Sequence, residues 1–173
     1  TQSPNFMTEQ QAKDIAGWVR KGGTLVILLN DVGNAEIAQF NILPQQFGLT
    51  FNEDSRNRVT GQNFQMGAVA IPAGHEILKN TKKIYVKEIS TLNVKPPARA
   101  ILEDGGDVLM ATASFGKGKV FAIGDPWLYN EYVDGRKLPE EFENFQAAND
   151  LVDWLLNNKK SKYKKRPKKK KKK

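Results

Sequence analysis

The amino-acid sequence predicts an α/β domain built on a mixed sheet, and three stretches carry that expectation. Residues 24–29, Thr-Leu-Val-Ile-Leu-Leu, are almost unbroken aliphatic, too short for a helix and rich in the types a buried parallel strand takes. Residues 119–123, Lys-Val-Phe-Ala-Ile, form a second apolar run between turn-forming glycines. Residues 98–102, 108–113 and 119–123 are joined by Asp104-Gly105-Gly106-Asp107 and Phe115-Gly116-Lys117-Gly118. Both joints are typical hairpin connections, so an antiparallel meander should continue the sheet.

Taken in order, Thr8 followed by Gln11 fits a capping box, and Ala12, Ile15, Ala16 and Val19 recur at helical spacing before Gly22-Gly23 ends the element. A helix followed by a core strand is expected. That strand empties into Asn30-Asp31-Val32-Gly33-Asn34, where Asn34 can cap a second helix burying Ile37, Phe40 and Leu43 before Pro44. Residues 49–51 suit a short strand that empties into another polar loop, Asn52-Glu53-Asp54-Ser55-Arg56-Asn57-Arg58. Between 59 and 97 only 84–86 and 92–94 read as strands, with Ile71-Pro72-Ala73-Gly74 as a turn. Residues 140–157 read as the last helix, with Phe142, Phe145, Ala148, Val152 and Leu155 on one stripe and Glu140, Glu141 and Glu143 in its first turns.

The 173 residues suffice for one domain, assigned to 1–158. The net charge of +8 misleads, because residues 159–173 hold 12 of the 27 basic side chains and no acid. Removing them leaves 15 basic against 19 acidic groups, so residues 1–158 carry a net of −4. The lysine-rich tail, with only Tyr163 apolar, cannot offset the entropy of ordering and is expected to be disordered. It would attract nucleic acid or any polyanion non-specifically. With no cysteine and one histidine, thiolate chemistry and multi-histidine metal sites are excluded, and neither a metal nor a cofactor is expected. His75 reads as a turn residue, and Gly116-x-Gly118 lacks the third glycine and following helix of a dinucleotide loop. No apolar run nears the roughly 18 residues of a membrane helix.

Loops at the carboxyl ends of parallel strands are where open α/β domains place ligands. Here they offer Asp31 and Asn34, then Asp54, Arg56 and Arg58, and after the strand at 119–123 the sequence Gly124-Asp125-Pro126-Trp127-Leu128-Tyr129-Asn130-Glu131-Tyr132. Aromatic faces with carboxylates and amides suit a polyhydroxylated ligand, so Asp125, Trp127, Tyr129, Asn130 and Glu131 are candidate binding residues. The alternative is that Trp127 and Tyr129 fold back as a lid on the core. If parallel pairing brings the loops to one rim, Asp31 and Asp125 are also available as a hydrolytic acid and base pair.

Two segments carry a family resemblance. Phe51-Asn-Glu-Asp-Ser-Arg-Asn-Arg-Val59 and Gly124-Asp-Pro-Trp-Leu-Tyr-Asn-Glu-Tyr-Val-Asp-Gly-Arg-Lys-Leu-Pro139 resemble the C-terminal module that follows the catalytic barrel in unsaturated rhamnogalacturonyl hydrolases of Bacteroidetes. The wider order of elements looks like a class I glutamine amidotransferase-like domain. The resemblance implies a three-layer, flavodoxin-like α/β fold whose first strand and helix lie before Thr1, and a periplasmic or secreted setting. It implies no catalytic residue, because the amidotransferase cysteine has no counterpart here and the glycosidase chemistry belongs to the barrel. The expectation is therefore a non-catalytic accessory module of a pectin-degrading glycoside hydrolase, with an upstream catalytic domain or a plant cell-wall oligosaccharide as partner. The alternatives are a hydrolase using rim carboxylates and an adaptor binding polyanions through the tail.

Overall fold

The computed structural model describes residues 7–126, 132–133 and 137–160, with side chains to 157. Thr8 starts α1 (Glu9–Arg20) with the expected capping box: its hydroxyl accepts from the Gln11 amide, and the Gln11 side chain accepts from the Thr8 amide at 2.8 Å. Ala12, Ala16 and Val19 form its buried stripe. The chain then forms β1 (Thr24–Leu28), a single helical turn α2 (Ile37–Phe40), a 3-10 turn (Pro44–Phe47) and β2 (Leu49–Phe51). After it come β3 (Ala68–Ala70), β4 (Lys83–Tyr85), β5 (Leu92–Val94), β6 (Ala98–Asp104), β7 (Asp107–Phe115), β8 (Gly118–Ile123) and α3 (Asn144–Lys160).

The main sheet runs β1-β8-β7-β5-β2, with β6 also paired to β7, while β3 and β4 form a separate antiparallel pair. Its one parallel pairing among the described residues is β1 with β8, in register from Thr24↔Lys119 to Leu28↔Ile123. The meander β6-β7-β8 is antiparallel as expected. Gly105 and Gly106 both take positive φ (60° and 92°) in the first hairpin, a combination an L side chain would resist.

This is a mixed α/β domain, but the strand expected at its centre lies at an edge. β8 is an interior strand, buried from Lys119 to Ile123 between β1 and β7. β1 is paired on one side only among the described residues, so Leu25, Val26 and Leu28 remain half-buried and Ile27 alone is fully buried within the strand. Alternate residues of β8 divide the core. Val120 and Ala122 pack with α1 and the 3-10 turn, whereas Phe121 and Ile123 pack with Ala147 and Leu151 of α3. Burying an aromatic such as Phe121 contributes about 1.5–3 kcal/mol.

Two helix expectations are corrected. Asn34 caps nothing; the residue before α2 is Glu36, and the helix lasts four residues because Pro44 opens a 3-10 turn instead. The last helix starts at Asn144, since the chain before it is held against β4: the Glu143 amide donates to the Lys83 carbonyl at 2.9 Å, and Phe142 packs edge-on against Tyr85. This shifts the buried stripe. Ala147 and Leu151 face the core, whereas Phe145 is 63% exposed and Val152 40%.

Candidate functional site

The parallel pairing brings the carboxyl ends of β1 and β8 to one edge, and four chain segments meet there. The Leu29 amide donates to the Ile123 carbonyl (3.1 Å), the Val32 amide to the Asp54 carbonyl (3.0 Å) and the Ser90 amide to the Gly124 carbonyl (3.2 Å). Gly124 is required by this approach, because a Cβ there would lie 1.9 Å from the Ser90 carbonyl oxygen.

The rim carboxylates are drawn into that junction. Asp31, 2% exposed, accepts from the Asn34 side-chain amide at 2.6 Å through Oδ1 and from the Ser55 hydroxyl through Oδ2. Asp54 accepts from the Thr91 amide (2.8 Å) and the Thr91 hydroxyl (2.5 Å), while the Ser90 hydroxyl donates to the Asn52 carbonyl at 2.6 Å. Asp125, 5% exposed, accepts from the Lys87 amide at 3.2 Å. Each of these carboxylates is therefore a fixed acceptor tying loop to loop, as buried polar groups must be if they are not to cost stability.

Of the other sequence candidates, Asn34 stays exposed at the mouth of a cleft of about 440 Å³ formed by residues 32–38 with Glu53. Arg56 leaves the rim: its guanidinium reaches the β6–β7 hairpin, pairing with the Asp104 carboxylate and carbonyl and with Asp107 at 2.8 Å. Arg58 is exposed. Trp127, Tyr129, Asn130 and Glu131 lie outside the described residues. Glu36 and Glu53, which line the cleft with Asn34, were not singled out from sequence. The signal for Glu53 was its place beside Asp54 in the same polar loop.

His75 is a turn residue, as expected. Its Nδ1 accepts the amides of Leu78 (2.9 Å) and Ile77 (3.2 Å), leaving Nε2–H to donate to the Ile101 carbonyl at 2.9 Å. Burial pushes its pKa below the ordinary imidazole value. Among the described residues no group of three or more His, Asp and Glu side chains is placed to hold a metal ion. No described helix is long and apolar enough to cross a membrane.

A second polar cleft, of about 550 Å³, opens between residues 59–64, the end of β4, Tyr132 and residues 137–139. Its base is an aromatic cluster in which Tyr85 meets Tyr132 (ring centroids 4.9 Å apart), Phe64 (5.6 Å) and Phe142 (5.6 Å), all edge to face. Tyr132 packs on Tyr85 in this cluster, whereas Trp127 and Tyr129, the residues expected as a lid, lie outside the described residues.

No protein-family profile matches the chain, and no curated protein sequence matches it significantly. Solved structures do resemble it. The mmIFT52 N-terminal domain is 20% identical with a TM-score of 0.68, covering 86% of this chain and 72% of that one. Cytoplasmic protein STM1381 from Salmonella typhimurium LT2 is 19% identical with a TM-score of 0.57, covering 82% and 59%. A β-galactosidase from Rahnella sp. R3 is 14% identical with a TM-score of 0.54, covering 86% of this chain but only 20% of the enzyme. At these identities the likeness is one of fold.

Proposed function

We propose that this chain is a non-catalytic α/β accessory module of a carbohydrate-degrading enzyme, binding saccharide at the β1/β8 rim or packing against a catalytic domain. The observation that carries this reading is the state of the rim carboxylates. Asp31 and Asp54 spend both oxygens on protein donors, whereas a general acid or base must reach a proton of the substrate. What the rim offers a ligand is the exposed edge of Asn34, Glu36 and Glu53 around its cleft, a set of amide and carboxylate groups suited to hydroxyls. The fold's likeness to about one fifth of a β-galactosidase chain supports a role inside a larger enzyme. A flavodoxin-like arrangement completed by an upstream strand and helix, and a pectic substrate, are the finer forms of this proposal and rest on the sequence resemblance.

The test is calorimetric titration of the chain with rhamnogalacturonan oligosaccharides beside an assay for released reducing sugar. Saturable binding weakened by Asn34→Ala or Glu53→Gln, without turnover, is expected. Turnover abolished by Asp31→Asn with the fold intact would favour a hydrolase instead, and the absence of saturable binding would remove the saccharide role.

A further inference from the structure

The second cleft differs from the rim in the sign of its charge. Among the described residues its ionisable lining consists of Lys87 and Lys137 with the phenols of Tyr85 and Tyr132, and none of them is a carboxylate. That is unusual in residues 1–158, which carry a net of −4. Tyr132 packs edge to face on Tyr85 with ring centroids 4.9 Å apart, and Lys87 lines the cleft beside both rings. Glu88 sits 3.6 Å from Lys87 and offsets part of its charge. Lys137 is exposed and makes no ion pair among the described residues. Phe64 and the tyrosines supply apolar ring surface, and the Gln62 amide supplies both a donor and an acceptor at the mouth. A volume of about 550 Å³ falls within the roughly 300–1,000 Å³ typical of small-molecule sites.

We infer that this cleft binds a ring-bearing carboxylate of monosaccharide size, a hexuronate, with its carboxylate between Lys87 and Lys137 and its C–H face on the tyrosines. The aromatic base favours the ring, because C–H surfaces stack on aromatic faces. The two ammonium groups favour the charge, because a carboxylate entering the cleft meets two cations among the described lining residues. Identification of the ring as a sugar rests on the saccharide reading above, whereas the preference for an anion rests on the lysines alone.

The experiment titrates the full chain with galacturonic acid, galactose and acetate, followed by NMR shifts of the Lys87, Tyr132 and Lys137 amides at low and moderate salt. Galacturonate should saturate these shifts, and galactose and acetate should each bind at least tenfold more weakly. Raising the salt should weaken galacturonate. Lys137→Gln, at an exposed position, should weaken galacturonate about tenfold without lowering the melting temperature, and Lys87→Gln should do the same. Glu53→Gln, in the rim cleft, should leave it unchanged. Equal binding of galactose, equal binding of acetate, or galacturonate affinity insensitive to both lysine variants would overturn the assignment, as would no binding at all. Loss of rhamnogalacturonan binding at the rim with galacturonate retained here would refute the rim site alone.

Discussion

Replacing Asn144 by aspartate tests whether one side chain stands in for a neighbouring strand. Asn144 is 1% exposed; its Oδ1 accepts from the Tyr85 amide and its Nδ2 donates to the Tyr85 carbonyl, both at 2.8 Å. A single side-chain amide thus satisfies both main-chain groups of Tyr85 at the end of β4. Aspartate has the same shape and keeps the first bond, but it sets a carboxylate oxygen against the Tyr85 carbonyl. A buried carbonyl left without a donor costs about 1–3 kcal/mol, and more where a charge faces it. N144D should therefore lose about 3 kcal/mol at pH 7. In a chain of 173 residues that corresponds to a fall in Tm of roughly 6–12 °C.

The pH dependence separates this mechanism from general disruption. When protonated, the introduced carboxyl regains a donor for the Tyr85 carbonyl, so its folded-state pKa must lie above the unfolded value of about 4. The folded variant then binds more protons than the unfolded chain, and its deficit relative to the native sequence shrinks as pH falls through the folded pKa. Thermal melts of both proteins at pH 7.5 and 5, followed by circular dichroism, decide the matter. A deficit under about 1 kcal/mol at pH 7.5, or one that grows on acidification, would refute the reasoning.

Two other groups give predictions of opposite proton bookkeeping. Protonating His75 would turn the acceptor of two amides into a donor, and burial already lowers its pKa. The stability linked to it is therefore full above about pH 6.5 and lost as pH falls below that value, where the unfolded chain protonates first. H75Q should flatten the change in urea midpoint between pH 7 and 5, and an unchanged slope would count against the assignment. Asp150 accepts from the Asn80 amide (2.8 Å), the Asn80 side chain (2.7 Å), the Thr81 hydroxyl (3.0 Å) and Gln146 (3.1 Å). Burial would raise its pKa, but these donors outweigh it and hold the carboxyl below the ordinary value. Its contribution is present above about pH 4 and is lost as pH falls toward the folded pKa. D150A should cost about 1–3 kcal/mol at neutral pH, because its neutral donors are left unsatisfied, read as a drop in urea midpoint, and a cost near zero would show that water replaces the carboxylate.

The sequence made the local elements legible where one physical signal dominated. The capping box at Thr8, the glycines of both hairpins and the aliphatic runs of β1 and β8 each point one way, and the structure agrees at 9–20, 24–28 and 98–123. It was misleading where apolar periodicity competed with tertiary hydrogen bonds. Of the expected stripe, Phe145 and Val152 are exposed and Ala148 and Leu155 pack partly against the core, while the inward side of α3 carries Asn144, Ala147, Asp150 and Leu151. Polar residues at 144 and 150 point inward because they serve backbone groups of β4 and the 80–81 turn, and nothing in helical spacing announces that. The shared rim of Asp31 and Asp125 followed from parallel strand direction, whereas Asp54 reaches it from β2, which three successive antiparallel pairings set opposite to β8, and not by the parallel run the sequence suggested. That Arg56 would leave the rim for Asp104 and Asp107 depended on a hairpin about fifty residues away in sequence.

These polar anchors share one physical origin that bears on function. β2, β3, β4 and β5 each span three residues, too few to satisfy their surroundings by strand pairing alone. Asn41 does for Phe51 what Asn144 does for Tyr85, bonding both its amide (2.8 Å) and its carbonyl (2.9 Å). Asp54 and Asp125 do the same for single amides at Thr91 and Lys87. A carboxylate that accepts from a backbone amide is fixed in direction, which suits a structural acceptor and takes those oxygens away from a substrate. The residue types that suggest a hydrolytic pair in the sequence are thus the ones a fold of short strands needs at its seams. Ligand chemistry is left to the side chains those seams leave exposed: Asn34, Glu36 and Glu53 at the rim, and Lys137 with Gln62 at the second cleft.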